Sequence, residues 1–137
     1  MKIIDLHTHT TASDGILTPA QLVKKAKRVG LSAIAITDHD QVFGLKEGLK
    51  AGKKFDLEIV PGIEISTYKK EKQKSLEKEY HILGYFIDYQ DKELKKVVKR
   101  LQQAREKRAK RIVFLLKKLG FQIDENYLQK ISGGSIG

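Results

Sequence analysis

The sequence predicts an α/β fold built on a largely parallel sheet. Two observations predict it. Short apolar runs alternate with amphipathic segments through the first half of the chain, the pattern of strands joined by crossover helices. The second is that every histidine falls at the end of an apolar run, where parallel α/β folds build their sites.

The elements follow in order. "KIIDL" (2–6) reads as a short strand. "TPAQLVKKAKRVG" (18–30) reads as a helix: Thr18 is the N-cap, Pro19 suits the first helical position, and Gln21 completes a capping box. Leu22, Val23, Ala26 and Val29 make its apolar stripe, and Gly30 is the expected C-cap. "SAIAIT" (32–37) is apolar without alternation, as in a strand covered on both faces. A second helix is expected over about 42–52. "LEIVPG" (57–62) is a third strand, which "IEIST" (63–67) either continues or follows after a kink at Pro61-Gly62. "YKKEKQKSLEKE" (68–79) reads as a charged, hairpin-like loop, and "YHILGYFIDY" (80–89) as a returning strand. A long amphipathic helix is expected over 91–120, with Leu94, Val97, Val98, Leu101, Ala104, Ile112, Leu115, Leu116 and Leu119 at helical spacing. A short helix over 124–132 follows, and then "GGSIG".

Composition narrows the functional class. The 137 residues suffice for one domain with a core, and 40% hydrophobic with 32% charged content reads as soluble and globular. No secretory signal and no apolar run of transmembrane length is seen, so a cytoplasmic location without a membrane partner is expected. With no cysteine there is no disulfide, thiolate nucleophile or sulfur-ligated metal. The net charge of +10 is uneven: residues 1–68 carry 9 Lys/Arg against 8 Asp/Glu, and residues 69–137 carry 18 against 9. A basic half can meet an anionic partner such as nucleic acid. The preferred reading is a solvated helix face and a polar loop, because no aromatic residues interleave with the charges as base stacking requires. Stable binding to duplex nucleic acid is therefore not expected.

The polar residues point to metal chemistry. In "DLHTHTTASDG" (5–15), side chains at i and i+2 of an extended backbone face the same way, so His7 and His9 present a pair of imidazoles. Asp14 lies five residues on, past small residues that let the loop turn back. His39 in "TDHD", Glu64 in "PGIEIS" and His81 at the head of "HILGYF" complete the set. A carboxylate such as Glu64 can bridge two metal ions, and multi-metal clusters hydrolyse phosphate esters. Ser13 and Thr37 read as turn and strand residues rather than nucleophiles.

Together, "DLHTHTTASDG", "AIAITDHD", "IVPGIEIS" and "HILGYFID" resemble the successive motifs of the PHP (polymerase and histidinol phosphatase) family, over Met1 to about Leu119 with the closing "GGSIG" also fitting. The resemblance implies a distorted barrel of seven β/α units and two or three divalent metal ions drawn from Mn, Fe, Zn and Mg. His7 and His9 would bind one ion together with Glu64. Glu64 would bridge to a second that also takes His81, and Asp14 and His39 would serve a third. Asp38 and Asp40 flank His39 and would support the ligands from behind. The implied activity is phosphoesterase hydrolysis of a nucleotide, a short oligonucleotide or another small phosphomonoester by a metal-activated water. Histidinol phosphatase, an inactive fragment, and a non-catalytic module like that fused to replicative DNA polymerase are the alternatives.

The family's later histidine motifs do not occur in this sequence, and a barrel of that kind takes about 250 residues. The expectation is therefore the N-terminal part of a PHP barrel. Residues 1–89 would form its metal-carrying β/α half, and residues 90–132 a helical insertion or cover.

Overall fold

The computed structural model describes residues 3–70 and 77–131. Residues 71–76 of the expected charged loop and the closing "GGSIG" lie outside the described residues. The elements are β1 (Ile3–Thr8), α1 (Pro19–Arg28), β2 (Leu31–Ile36), α2 (Leu45–Phe55), β3 (Glu58–Lys70), β4 (Glu77–Tyr85), α3 (Lys92–Lys118) and α4 (Glu125–Ile131). One sheet has the order β1-β2-β3-β4. β1, β2 and β3 pair in parallel, and β3 and β4 antiparallel.

Local chemistry explains most of these boundaries. Thr18 accepts from the Gln21 N–H at 3.3 Å, and the Gln21 side chain accepts from the Thr18 N–H at 2.9 Å, so the capping box of α1 forms as expected. The cap at its far end is Val29, and Gly30 takes the left-handed turn beyond it. Val29 is consequently turned out, 62% exposed, and does not belong to the apolar stripe. The second helix starts and ends three residues later than expected, because residues 42–44 are spent leaving the His39 loop and Asp56 ends α2 in a left-handed conformation.

β3 is a single 13-residue strand rather than two. Its pairing to β2 ends at Pro61, and its pairing to β4 begins at Gly62. Pro61, which lacks an N–H, thus sits where the strand changes partners and where a missing donor is tolerated. A Cβ on Gly62 would come within 2.9 Å of the Gly84 carbonyl oxygen, so only glycine admits this close approach. β4 begins at Glu77, inside the segment read as loop, and ends at Tyr85 because Phe86 adopts a left-handed conformation. The long helix begins after Asp91, whose side chain accepts from the Leu94 N–H at 2.7 Å.

The core lies between β2 and the two crossover helices. Ile34 and Ile36 of β2, Val23 and Ala26 of α1, and Leu45 and Ala51 of α2 pack with Ile63 and Val98. β2 is buried at four successive positions, Ala33 to Ile36, as its unbroken apolar run predicts. The edge strand β1 is exposed along most of its length, with Ile3 59% and Ile4 53% exposed. α3 buries only Val98 and Ala109; Val97, Ile112, Leu115 and Leu119 of its expected stripe are exposed.

Two substitutions distinguish this core from the sequence stripe. Ile36→Ala, at a fully buried position, is expected to destabilise the chain by about 2–5 kcal/mol. Val29→Ala should stay within about 0.5 kcal/mol of the parent. Urea unfolding followed by circular dichroism measures both, and equal losses would contradict this core.

Candidate metal centre

The centre lies where the parallel strands end and the β3–β4 hairpin extends beyond them. β2 stops at Ile36, but β3 runs on, with an isolated parallel bridge between His39 and Glu64. Thr8 ends β1, with His7 just before it in the strand and His9 just after it. Glu64 and His81 are not at strand ends: each is inside its strand, because β3 and β4 continue as a hairpin past the end of β2. Their position relative to β2 brings them level with the histidine loop.

Glu64 is the hub. It is 2% exposed, and its two carboxylate oxygens serve different neighbours. Oε2 lies 2.9 Å from His7 Nε2 and 3.0 Å from His9 Nε2, while Oε1 lies 2.7 Å from His81 Nδ1. The i, i+2 pair thus converges on one oxygen. The four imidazoles form a continuous row, with centroid separations of 5.0 Å for His7–His9, 4.7 Å for His9–His39 and 5.0 Å for His39–His81.

Asp14 closes the other side. The loop turns back through hydrogen bonds from the Ser13 and Gly15 N–H groups to the Thr10 carbonyl, both 2.9 Å. This places Asp14 Oδ1 3.2 Å from His9 Nδ1 and Oδ2 3.6 Å from His39 Nε2. A Cβ on Gly15 would lie 2.4 Å from the His9 carbonyl oxygen, so the turn closes this tightly only on glycine.

Asp38 and Asp40 do not touch the histidines, yet both fix what carries them. Buried Asp38 accepts from the Thr10 N–H at 2.7 Å, the Thr10 hydroxyl at 2.8 Å and the Ser13 hydroxyl at 2.6 Å, which ties the His9–Asp14 loop to the end of β2. Asp40 accepts from the Ser66 N–H at 2.9 Å and from Arg105 Nε at 2.5 Å. Arg105 also donates to the Ser66 hydroxyl at 2.8 Å, so α3 is pinned to the loop that bears His39.

Sequence reasoning missed Thr10, Arg105 and Glu79. Arg105 carries no signal that separates it from the other basic residues of its helix. Glu79 lies in the charged run read as a loop, but its Oε1 is 3.2 Å from His81 Nε2 and accepts from the Tyr68 hydroxyl at 2.9 Å. Its i, i+2 relation to His81 within a strand was the available signal. A carboxylate on the outer nitrogen of an imidazole orients the inner one.

The electrostatics follow from this geometry. Burial raises the Glu64 pKa, but the hydrogen bond with His7 and the charges of His39 and His7, with His81 also bonded, outweigh it and hold the carboxyl below its ordinary value. Burial, aided by His9 and Arg105, lowers the His39 pKa despite Glu64 and Asp14. The hydrogen bond to Glu79, ahead of that to Glu64, raises the pKa of His81 against burial.

The donor set fits a divalent metal. Three groups bring their ligand atoms within 4.8 Å of one another: His7, His9 and Glu64; His9, Asp14 and His39; and His39, Glu64 and His81. Imidazole with carboxylate is the mixture that Zn, Mn and Fe accept. His39 Nδ1 is buried without a hydrogen-bond partner, alone in this among the described side chains. Its Nε2 stands 3.6 Å from Asp14 and 3.7 Å from Glu64, both longer than a hydrogen bond. With His9 and Asp14, His39 forms one group whose ligand atoms could hold an ion, and with Glu64 and His81 another.

A PHP domain model matches residues 5–135 of the sequence. The chain belongs to the PHP family. It is 36% identical to a 5'-3' exoribonuclease of Haemophilus influenzae over 87% of this PHP chain and 41% of that protein. It is 36% identical to a phosphoribosyl 1,2-cyclic phosphate 1,2-diphosphodiesterase of Eggerthella lenta, over 63% of the chain and 31% of that protein. With a 3',5'-nucleoside bisphosphate phosphatase of Chromobacterium violaceum the identity is 31%, over 82% and 37%. Among solved structures, an amidohydrolase from Chromobacterium violaceum with bound sulfate and no metal superimposes with a TM-score of 0.84 at 27% identity, over 98% of the chain and 46% of that one. A putative metal-dependent phosphoesterase from Bifidobacterium adolescentis gives 0.83 at 29%, over 96% and 43%. The fold is thus an α/β arrangement with a curled half-barrel sheet, as in these neighbours. The chain spans less than half the length of the relatives it matches. No helix among the described residues is long and apolar enough to cross a membrane.

Asp38, which holds the loop, and Asp14, a candidate ligand, are expected to respond differently to mutation. Asp38→Ala strands the buried Thr10 N–H and should cost about 2–3 kcal/mol of stability. Asp14→Ala, at a largely exposed side chain, should leave metal-free stability within about 0.5 kcal/mol but weaken metal uptake. Metal-free thermal unfolding beside metal titration tests the pair, and a large stability loss in Asp14→Ala would refute the division of roles.

Proposed function

We propose that this chain carries the metal centre of a phosphoesterase that hydrolyses a phosphate ester of a nucleotide or short oligonucleotide. The observation that carries the reading is Glu64, a buried carboxylate whose two oxygens face separate sets of imidazoles. This is the disposition of a ligand shared by two ions. In this reading His7, His9 and Glu64 hold one ion, Glu64 and His81 a second, and Asp14 and His39 a third. Residues 1–89 are the metal-carrying half, and residues 90–132 its helical cover.

When bound, the ions supply an acidified water and neutralise charge on the phosphoryl oxygens. The chain's own residues prepare for that. Burial keeps His39 in the neutral form that ligates. Glu79 turns Nδ1 of His81 toward Glu64, and Asp38 holds the loop of His9 and Asp14. Glu64 keeps the imidazoles aligned, with its two oxygens within hydrogen-bond distance of His7 and His81 respectively. The substrate class is supported by what the relatives share, a phosphate ester on a ribose, and by a net charge of +10 that draws anions to the surface.

Stripped with chelator and titrated with Mn²⁺ or Zn²⁺, the chain should bind one or more ions and melt at a higher temperature when loaded. Uptake should weaken on acidification, because protons compete for the imidazole nitrogens. Glu64→Gln should lower affinity at least tenfold and abolish release of phosphate or nucleotide from 5′-phosphorylated oligoribonucleotides or nucleoside bisphosphates. A chain that takes up no ion would overturn the centre. A loaded chain that cleaves no ribonucleotide ester would overturn the substrate class.

A further inference from the structure

A groove of about 560 Å³ opens beside the loop that bears His39. That volume lies within the range of small-molecule and nucleotide pockets. Val42 and Val98, 5% and 3% exposed, form its floor. Phe43, 71% exposed, and the half-buried Tyr89 supply aromatic faces. Lys46 from α2 and Lys95 and Lys99 from α3 stand around it, and no carboxylate lines it.

The groove is tied to the metal centre in two ways. Val42 and Phe43 follow His39 by three and four residues in the chain. On α3, Val98, Gln102 and Arg105 share one face, and Gln102 also lines the groove. Arg105, about one helical turn of 5.4 Å beyond Gln102, grips Asp40, the neighbour of His39. The groove and the loop that bears His39 are thereby joined through α3 and Asp40.

Its chemistry selects a ligand. Exposed aromatic faces accept bases only when these are unstacked and unpaired. Three lysines without a facing carboxylate demand phosphates. We propose that this groove binds a base and its flanking phosphates in single-stranded RNA, next to the ester that the metal centre would cleave. The assignment of what the groove serves rests on the phosphoesterase reading; the binding itself is measured apart from it.

The experiment uses the full chain in chelator, so that no metal contributes, with a short fluorescein-labelled oligoadenylate and anisotropy read over a series of salt concentrations. Phe43→Ala should weaken binding about tenfold and leave the salt dependence unchanged. Replacing Lys46, Lys95 and Lys99 together by Ala should reduce the magnitude of the log–log salt slope by about 2. Lys24→Ala with Lys25→Ala, on α1, should change neither. The proposal is overturned if the parent chain does not bind, if both groove variants bind like the parent, or if a blunt duplex competes as well as the single strand. Phe43-dependent binding in a chain that cleaves no ester would leave the groove standing and remove the hydrolytic reading. Cleavage by a chain whose groove variants bind normally would do the reverse.

Discussion

The site depends on burying one carboxylate. An isolated ionised Glu64 at 2% exposure would carry a desolvation penalty of several kcal/mol, and only positive or hydrogen-bonding neighbours can offset it. The fold supplies them from two strands and a loop: His7 from β1, His81 from β4, and His9 from the loop after β1, all within 3.0 Å. Four imidazoles crowded around one carboxylate cannot all be protonated without mutual repulsion. The donor atoms gather into three sets that could each hold a metal ion: His7, His9 and Glu64; His9, Asp14 and His39; and His39, Glu64 and His81.

A second polar layer holds this cluster in place. Asp38 and Asp40 lie on either side of His39 in sequence and face opposite supports. Asp38 binds back to Thr10 and Ser13, so it fixes the loop that follows β1. Asp40 binds forward to Ser66 on β3 and to Arg105 on α3. One short turn after β2 thereby joins elements distant in sequence, and the charge on Arg105 also contributes to keeping His39 neutral. The long helix reaches the site through such polar contacts more than through its apolar stripe, much of which remains exposed.

Pro61 marks the architectural step that makes the site possible. Before it, β3 is the third strand of a parallel sheet; after it, β3 is half of an antiparallel hairpin. The hairpin carries Glu64 and His81 past the end of β2, into register with the loops after β1 and β2. A strand that stopped at Pro61 would leave those loops without their shared carboxylate.

Much of this was legible in the residues alone. Period-two spacing determined that His7 and His9 act together, the capping residues of α1 determined where it starts, and the unbroken apolar run of β2 determined its burial, because each depends on near neighbours in the chain. The histidine and carboxylate motifs named, by type and order, the residues that the fold brings together. Tertiary structure decided the rest. That Glu64 splits its oxygens between two sets of imidazoles, that Asp38 and Arg105 support the site, and that Glu79 orients His81 all follow from contacts across strands and helices. So does the groove: no aromatic residue interleaves with the lysines along the chain, yet Phe43 and Tyr89 are brought beside Lys95 and Lys99 when α3 packs against the start of α2. Local patterns record backbone geometry, whereas a site assembled from distant segments exists only once the sheet has set their register.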